Sequence, residues 1–191
     1  MGNFAKNFFL QMQEAFDGIA CSGLKGRELG LNEAADKCTR MILESAKKGG
    51  TLFMAGNGGS ASIASHITVD LWKNGGVRAQ AFNDSSLLTC LGNDLGYEQV
   101  FAAPLLYFAR RGDVVVLISS SGKSPNMLAA ARAARKRGCK LITLTGFKRG
   151  NPLRAMGDVN FHVPSGEYGF VETVHAAICH CFVDSVIAAR N

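Results

Sequence analysis

The chain has 191 residues, of which 47% are hydrophobic and 19% charged, a balance typical of a soluble protein with one α/β domain. Two full domains would be cramped at this length, and no window approaches the roughly 18 uninterrupted apolar residues of a membrane span. The formal net charge is +6. The whole positive excess lies in residues 110–154, which carry eleven basic side chains and one acidic side chain, Asp113. This stretch favours a phosphorylated ligand or nucleic acid, unless it is a solvated helix face.

Six cysteines lie mostly within apolar runs, and none of them forms a CxxC pair. The apolar stretch from Phe4 to Phe16 is interrupted by polar residues, so it lacks the unbroken apolar region of a signal peptide. These features predict reduced core thiols in a cytoplasmic protein.

Apolar periodicity predicts two helices before any strand. The first covers residues 4–19, and the second begins with Asn32 as its N-cap and ends at Lys48, just before two glycines. Strands and helices then follow in this order: strand 51–55, a helix to Leu71, strand 77–82, helices 86–91 and 99–109, strand 113–119, helix 125–137, strands 139–145 and 158–163, and an apolar helix 168–189.

This alternation predicts an α/β fold with a doubly wound parallel sheet flanked by helices. We expect a single domain over residues 1–191, with an N-terminal helical extension (1–50) followed by the α/β core and C-terminal helix (51–191). The final helix is apolar on nearly all sides and both N-terminal helices carry apolar stripes. These helices therefore predict an interface in a homo-oligomer.

Two turns that each join a strand to a helix are rich in glycine or serine, and in a parallel sheet such turns meet at the edge where ligands bind. They are Gly56-Asn57-Gly58-Gly59-Ser60 and Ser119-Ser120-Ser121-Gly122-Lys123-Ser124. Backbone N–H groups at the helix starts, together with serine hydroxyls, suit a phosphate monoester. Neither turn fits GxxxxGK[ST] or GxGxxG, which argues against an ATP-binding P-loop or a dinucleotide site.

Several segments together resemble the sugar isomerase (SIS) domain family, and within it the bacterial phosphoheptose isomerase group. The resemblance rests on GNGGSASIASH, FNDSSLLTCLGNDLGYEQVF, ISSSGKSPN, ITLTG and ETVHAAICHCF, which occur in the family's order and cover nearly the whole chain. It implies interconversion of sedoheptulose 7-phosphate and D-glycero-D-manno-heptose 7-phosphate. It also implies a tetramer with sites between subunits, and nothing in the sequence points to a membrane or to specific nucleic-acid recognition.

The resemblance assigns substrate-binding roles mainly to the two turns, and metal-binding roles to two pairs of helical residues. The substrate-binding residues are Asn57, Gly58, Gly59, Ser60, Asp94, Ser119, Ser120, Ser121, Ser124 and Glu172. The metal-binding residues are His66, Asp70, Glu172 and His180. His66 and Asp70 are four residues apart and share a helix face, and two imidazoles with two carboxylates suit Zn²⁺. His175, by contrast, reads as a structural core histidine.

The sequence departs from the family at two of these positions, because Asp70 replaces a glutamate and Glu172 replaces a glutamine. Both changes alter the charge or geometry of the candidate site. The segment after Asp70 is also shorter than in the family, which leaves Trp72 and Lys73 where relatives approach the sugar. This shortening favours a different phosphosugar as the substrate.

The implied reaction is an aldose-ketose isomerisation through an enediol, with Asp70 as the base and His180 as the acid. Two alternatives stay open: an isomerase of another phosphosugar, and a non-catalytic SIS protein that binds a phosphosugar or a replication initiator. The two histidines and two carboxylates favour an enzyme, because a scaffold needs none of them.

Overall fold

A seven-stranded sheet organises residues 2–190, the part of the chain that this computed structural model describes. In chain order the strands are β1 (Ala20–Gly23), β2 (Glu28–Leu29), β3 (Leu52–Gly56), β4 (Ala79–Ala81), β5 (Val114–Ser119), β6 (Lys140–Thr145) and β7 (Val159–His162). The spatial order is β2-β1-β7-β6-β5-β3-β4. The five strands from β7 to β4 are parallel, while β1 pairs antiparallel with both β7 and β2.

Helices cover both faces of this sheet. They are α1 (Phe4–Asp17), α2 (Leu31–Lys47), α3 (Gly59–Lys73), α4 (Ser85–Leu95), α5 (Ala102–Phe108), α6 (Pro125–Lys136) and α7 (Tyr168–Ala188). Because side chains alternate along a strand, β5 supplies both layers: Val114, Val116 and Ile118 pack with α2, α3 and α7, while Val115 and Leu117 pack with α5 and α6. The predicted α/β fold with a largely parallel sheet is therefore confirmed.

The expectation that no strand precedes Thr51 is wrong. Strand β1 extends the sheet beyond β7, with Cys21 opposite Phe161, and β2 forms the edge. The segment that forms β1 is only four residues long and lacks an alternating pattern. Its partner strand, β7, lies about 140 residues further along the chain, so no local sequence pattern predicts the pairing.

Some boundaries also differ from the prediction. Gly30, rather than Asn32, precedes helix α2. A short 3₁₀ turn over Tyr97–Gln99 precedes α5, which begins at Ala102. All six cysteines are free, but Cys90 and Cys181 are exposed, so only four of them fit the predicted core role.

Helix α7 is long and apolar enough to cross a membrane by length and composition alone. It nevertheless packs against α1, α2 and α3, and half of its most apolar window is buried, as in the core helix of a soluble protein. His175 lies on its buried side, where Nε2 contacts the Thr145 carbonyl oxygen at 3.1 Å, as expected for a structural histidine. The opposite side is exposed and carries His180.

The topology brings three segments to the carboxyl ends of the central strands. Asn57 follows β3 and leads into α3, Ser120 follows β5 and leads into α6, and α7 begins six residues after β7. Gly58 has a φ of 55°, a left-handed conformation that glycine adopts without strain, and it precedes α3 directly. The two predicted turns therefore meet at one edge of the sheet.

Candidate active site

A small polar pocket, called here the serine pocket, lies at the carboxyl ends of β3 and β5. It has a volume of about 110 Å³. Its lining residues are Asn57, Ser60, Ile118, Ser119, Ser120, Ser121, Ser124, Tyr168 and Glu172. The structure thus brings the predicted serines of both turns together, and it adds Tyr168, which the sequence analysis did not single out.

The serine hydroxyls differ in how they are used. Ser119 Oγ accepts a hydrogen bond from the Gly122 N–H at 3.2 Å, and Ser121 Oγ accepts one from the Lys123 N–H at 3.3 Å. The buried Ser120 Oγ has no hydrogen-bond partner in residues 2–190. A buried hydroxyl without a partner is costly, and an anion in the pocket would supply the missing acceptor.

Helix α6 strengthens the case for an anion. Its N-terminus opens on the serine turn with Pro125 in the first position, and Ser124 makes no side-chain cap. Pro125 has no N–H, and the Met127 N–H donates to the Ser124 carbonyl oxygen at 3.0 Å, so this terminus contributes mainly the positive end of the helix dipole. Hydroxyls and a helix N-terminus at this point favour a phosphate group as the ligand.

A pair of amides orients Asn57 at the rim of the pocket. Asn57 Nδ2 donates to Asn126 Oδ1 at 3.0 Å, and Asn126 Nδ2 donates back to Asn57 Oδ1 at 2.9 Å. The Tyr97 hydroxyl reaches the same Oδ1 at 3.3 Å. Asn126 is almost fully buried, so the pair is fixed by packing. Sequence reasoning missed Asn126 and Tyr97; the asparagine directly after Ser124-Pro125 was the available signal.

A second group of functional side chains, the His–Asp–His cluster, consists of His66, Asp70 and His180. Asp70 Oδ2 lies 3.3 Å from His66 Nε2 and 3.8 Å from His180 Nδ1. One donor atom from each residue lies within 4.8 Å of the others. Helix α3 supplies two members on successive turns, and the packing of α7 against α3 supplies the third. Three of the four predicted metal-binding residues are therefore adjacent.

Glu172, the fourth predicted ligand, lies in the serine pocket instead. It packs against Gly59, where a Cβ atom would collide with its carboxylate. Glu172 precedes His180 by eight residues of one helix, or about 12 Å along the axis. Within one chain the two side chains therefore lie at different sites. The structure does not assemble the four predicted ligands into one site.

Asp94 also lies apart from both groups. Its exposed carboxylate, on α4, accepts hydrogen bonds from Asn93 Nδ2 at 2.8 Å and Cys90 Sγ at 3.6 Å, and it does not line the serine pocket. The nearby Tyr97, rather than Asp94, makes the contact from this region to Asn57.

Comparisons with known proteins agree with this geometry. The family model of the SIS domain matches residues 25–146. Phosphoheptose isomerase of Citrifermentans bemidjiense is 33% identical over 162 residues, which cover 82% of this chain and 84% of the relative. That of Helicobacter hepaticus is 36% identical over the same length, with 82% of each chain covered. The phosphoheptose isomerase structure from Neisseria gonorrhoeae superposes with a TM-score of 0.83 at 30% identity, covering 95% of this chain and 97% of that one.

The chain belongs to the phosphoheptose isomerase group of the SIS domain family. The resemblance seen in the sequence motifs is therefore confirmed. The structure locates the two residues that differ from the family pattern. Asp70 lies between two imidazoles, and Glu172 places a carboxylate in the serine pocket. The roles of the individual site residues stay predictions.

Proposed function

We propose that this chain is an aldose-ketose isomerase that interconverts sedoheptulose 7-phosphate and D-glycero-D-manno-heptose 7-phosphate. The observation that carries the proposal is the arrangement of the serine pocket and the His–Asp–His cluster along the same two helices, in a chain of the phosphoheptose isomerase group. One feature fits a phosphate and the other fits proton transfer.

The serine pocket takes the phosphate. Neutral serine hydroxyls beside a helix N-terminus suit the phosphate oxygens, and the partnerless Ser120 hydroxyl gains an acceptor when the phosphate binds. Glu172 adds a carboxylate beside this position, which opposes the phosphate and can accept a hydrogen bond from a sugar hydroxyl.

The distance between the two features suits a long sugar. Ser60 lines the serine pocket, and His66 and Asp70 follow it on α3 by six and ten residues, or about 9 and 15 Å along the helix. A seven-carbon ketose phosphorylated at its far end keeps its C1 and C2 atoms well away from the phosphate. The reacting carbons can therefore reach the cluster while the phosphate stays in the pocket.

Proton transfer in the cluster follows the enediol route. Asp70 takes a proton from C1 of the ketose, and His180 delivers a proton to C2, while the hydroxyl proton moves from the C1 oxygen to the C2 oxygen. No atom is gained or lost in this exchange. The distance of 3.8 Å between Asp70 Oδ2 and His180 Nδ1 supports this pairing of a base with an acid.

We also propose that the cluster holds Zn²⁺. Two imidazole nitrogens and one carboxylate oxygen within 4.8 Å of one another fit a three-ligand zinc site with an open position. When bound, the metal would polarise the sugar carbonyl. Because a metal-bound carboxylate is a weaker base, the role of Asp70 must be measured in both metal-loaded and metal-stripped protein.

The protein is further proposed to be a cytoplasmic homo-oligomer, with a tetramer as the expected size. Large apolar side chains of α1 are exposed in the single chain, among them Phe4, Phe9 and Leu10. The His66 side chain in the cluster is 64% exposed, so a neighbouring subunit would be needed to exclude water from the reaction. Light scattering of the purified protein measures the size of the assembly.

The deciding experiment is an NMR assay with sedoheptulose 7-phosphate and Zn²⁺-supplemented protein in D₂O. We expect an aldose heptose phosphate with solvent deuterium at C2. Turnover only on a different phosphosugar would move the assignment to that sugar. With folding and metal content verified, binding of phosphosugars without turnover or exchange would instead support the non-catalytic alternative.

A further inference from the structure

A second and larger cavity lies at the opposite edge of the sheet from the serine pocket. It has a volume of about 560 Å³, within the range of small-molecule sites. Thr51 and Asp113, which line it, directly precede β3 and β5, so the cavity opens at the amino ends of these strands. The strands have five and six residues, which separates the two sites by about 17 to 20 Å.

Four basic side chains line this basic cavity: Lys48, Arg78, Arg110 and Arg111. None of them forms a salt bridge with an acidic side chain of residues 2–190.

The acid in the cavity wall does not neutralise them. Asp113 is buried, and its two carboxylate oxygens accept hydrogen bonds from the backbone N–H groups of Thr51 at 2.9 Å and Arg110 at 2.7 Å. Both oxygens are therefore held by the backbone, and the lining has four cations against this one carboxylate. Cations that line one cavity without a salt-bridge partner attract a ligand that carries several negative charges, and guanidinium groups suit phosphate oxygens in particular.

Two exposed aromatic side chains share the wall with these cations. Trp72 is 53% exposed and Phe108 is 50% exposed, so both present an accessible ring at the cavity wall. Phe108 is held by stacking on Phe82, with the ring centroids 6.2 Å apart. An aromatic face beside a cationic wall offers a flat ring a place to stack and phosphates a place to bind.

We propose that the basic cavity binds a nucleotide with at least two phosphates. The base stacks on Trp72 or Phe108, and the phosphates contact Arg78, Arg110 and Arg111. Its ligand differs from the phosphosugar of the serine pocket, because the smaller pocket has hydroxyls and no aromatic face for a base other than Tyr168 at its rim.

Substitution of Arg78 and Arg110 leaves their backbone hydrogen bonds in place. The backbone carbonyl of Arg78 accepts from the Leu52 N–H, and the backbone N–H of Arg110 donates to Asp113, whereas both guanidinium groups are exposed. Trp72 is the only tryptophan in the chain, so its fluorescence reports on this cavity alone.

The test is a titration of the full-length protein with ADP, followed by Trp72 fluorescence and by calorimetry at low salt. We expect saturable quenching with a Kd below about 1 mM, at least tenfold weaker binding of adenosine, and weaker binding of pyrophosphate with little quenching. Raising the salt concentration should weaken ADP binding. The double variant Arg78→Gln/Arg110→Gln should weaken it at least tenfold.

The matched control is Arg132→Gln, which removes an exposed arginine of α6 that does not line the cavity. It should leave ADP binding unchanged. Absent binding of ADP, equal losses in the control and the double variant, or pyrophosphate binding as tight as ADP would each overturn the proposal. A subunit interface at this cavity would also overturn the proposal. Its signs would be a Trp72 emission typical of a buried indole and dissociation of the double variant into smaller species.

Discussion

The two edges of the sheet offer an anion different chemical groups. At the carboxyl edge, the 110 Å³ serine pocket uses hydroxyls and a helix N-terminus, and its charged lining residue is the acidic Glu172. At the amino edge, the 560 Å³ basic cavity uses four cationic side chains and two aromatic rings. The parallel sheet creates the difference, because helix N-termini lie at the carboxyl ends of the strands. At the amino ends, an anion can be attracted only by charged side chains.

The largest expected effect separates catalysis in the His–Asp–His cluster from phosphate binding at the carboxyl edge. Asp70→Asn and His180→Gln should each lower kcat by about 10²- to 10⁴-fold, because each removes a proton-transfer group. Steady-state assays with a phosphosugar substrate measure the loss, with and without added Zn²⁺. Asp184→Asn, an exposed carboxylate one turn beyond His180, should leave kcat unchanged. Wild-type turnover in both cluster variants would remove these residues from the reaction.

Acid should lower the free energy of unfolding through two buried histidines at the carboxyl edge. Burial lowers the pKa of His175 to about 4, and burial together with the nearby Arg154 and Arg149 lowers that of His162 to about 4. An unfolded histidine titrates near 6.5, so the unfolded chain binds more protons between these values and stability falls as the pH drops from about 6.5 to 4. The loss is at most about 3 kcal/mol for each residue.

Urea unfolding at pH 8, 6, 5 and 4 measures this loss. Both histidines are near the carboxyl ends of their neighbours: His162 ends β7, and His175 contacts Thr145 at the end of β6. A His162→Gln variant should therefore lose less stability over the same range. A free energy of unfolding that stays constant from pH 8 to 4 would contradict the lowered pKa of both histidines.

Two partnerless hydroxyls, one at each edge, permit a direct comparison. Ser120 Oγ lines the serine pocket and Ser45 Oγ lies in the wall of the basic cavity, and both are buried without a hydrogen-bond partner in residues 2–190. Ser120→Ala should raise KM for the phosphosugar by about 10- to 100-fold, the worth of a hydrogen bond to a charged group. Ser45→Ala should leave KM unchanged. Equal effects of the two changes would mean that they act through stability rather than through the ligand.

The smallest expected effect concerns Glu172. Removing its charge in Glu172→Gln should lower KM for the phosphosugar by a few fold, because a carboxylate beside the phosphate repels it by about 1 kcal/mol in a hydrated pocket. Zinc content, measured by metal analysis after dialysis, should not change, since Glu172 lies outside the His–Asp–His cluster. Loss of zinc in this variant would restore Glu172 as a ligand; His66→Ala is the positive control for such a loss.

Much of the fold and part of the site could be read from the sequence. Continuous apolar runs identified β5 and β6, and the glycine and serine turns after β3 and β5 identified the serine pocket. The spacing of His66 and Asp70 placed them on one helix face. These features are local: they depend on backbone preferences and on the periodicity of neighbouring residues.

What the sequence did not yield depends on contacts between distant segments. The antiparallel pairing of β1 with β7, the amide pair of Asn57 and Asn126, and the position of Glu172 all follow from how helices pack on the sheet. The basic cavity is the clearest case, because its cations come from three separate segments, and only Arg110 and Arg111 belong to the basic stretch 110–154.

The sequence by itself therefore determined the family, the order of elements and the two ligand-binding turns, since each is encoded by residues that are close in the chain. Only the tertiary structure decided which side chains share a site. It joined His180 to His66 and Asp70, separated Glu172 and Asp94 from them, and collected Arg78 with Arg110 at the far edge. The physical reason is that packing of helices on a twisted parallel sheet sets these distances, and no local pattern records them.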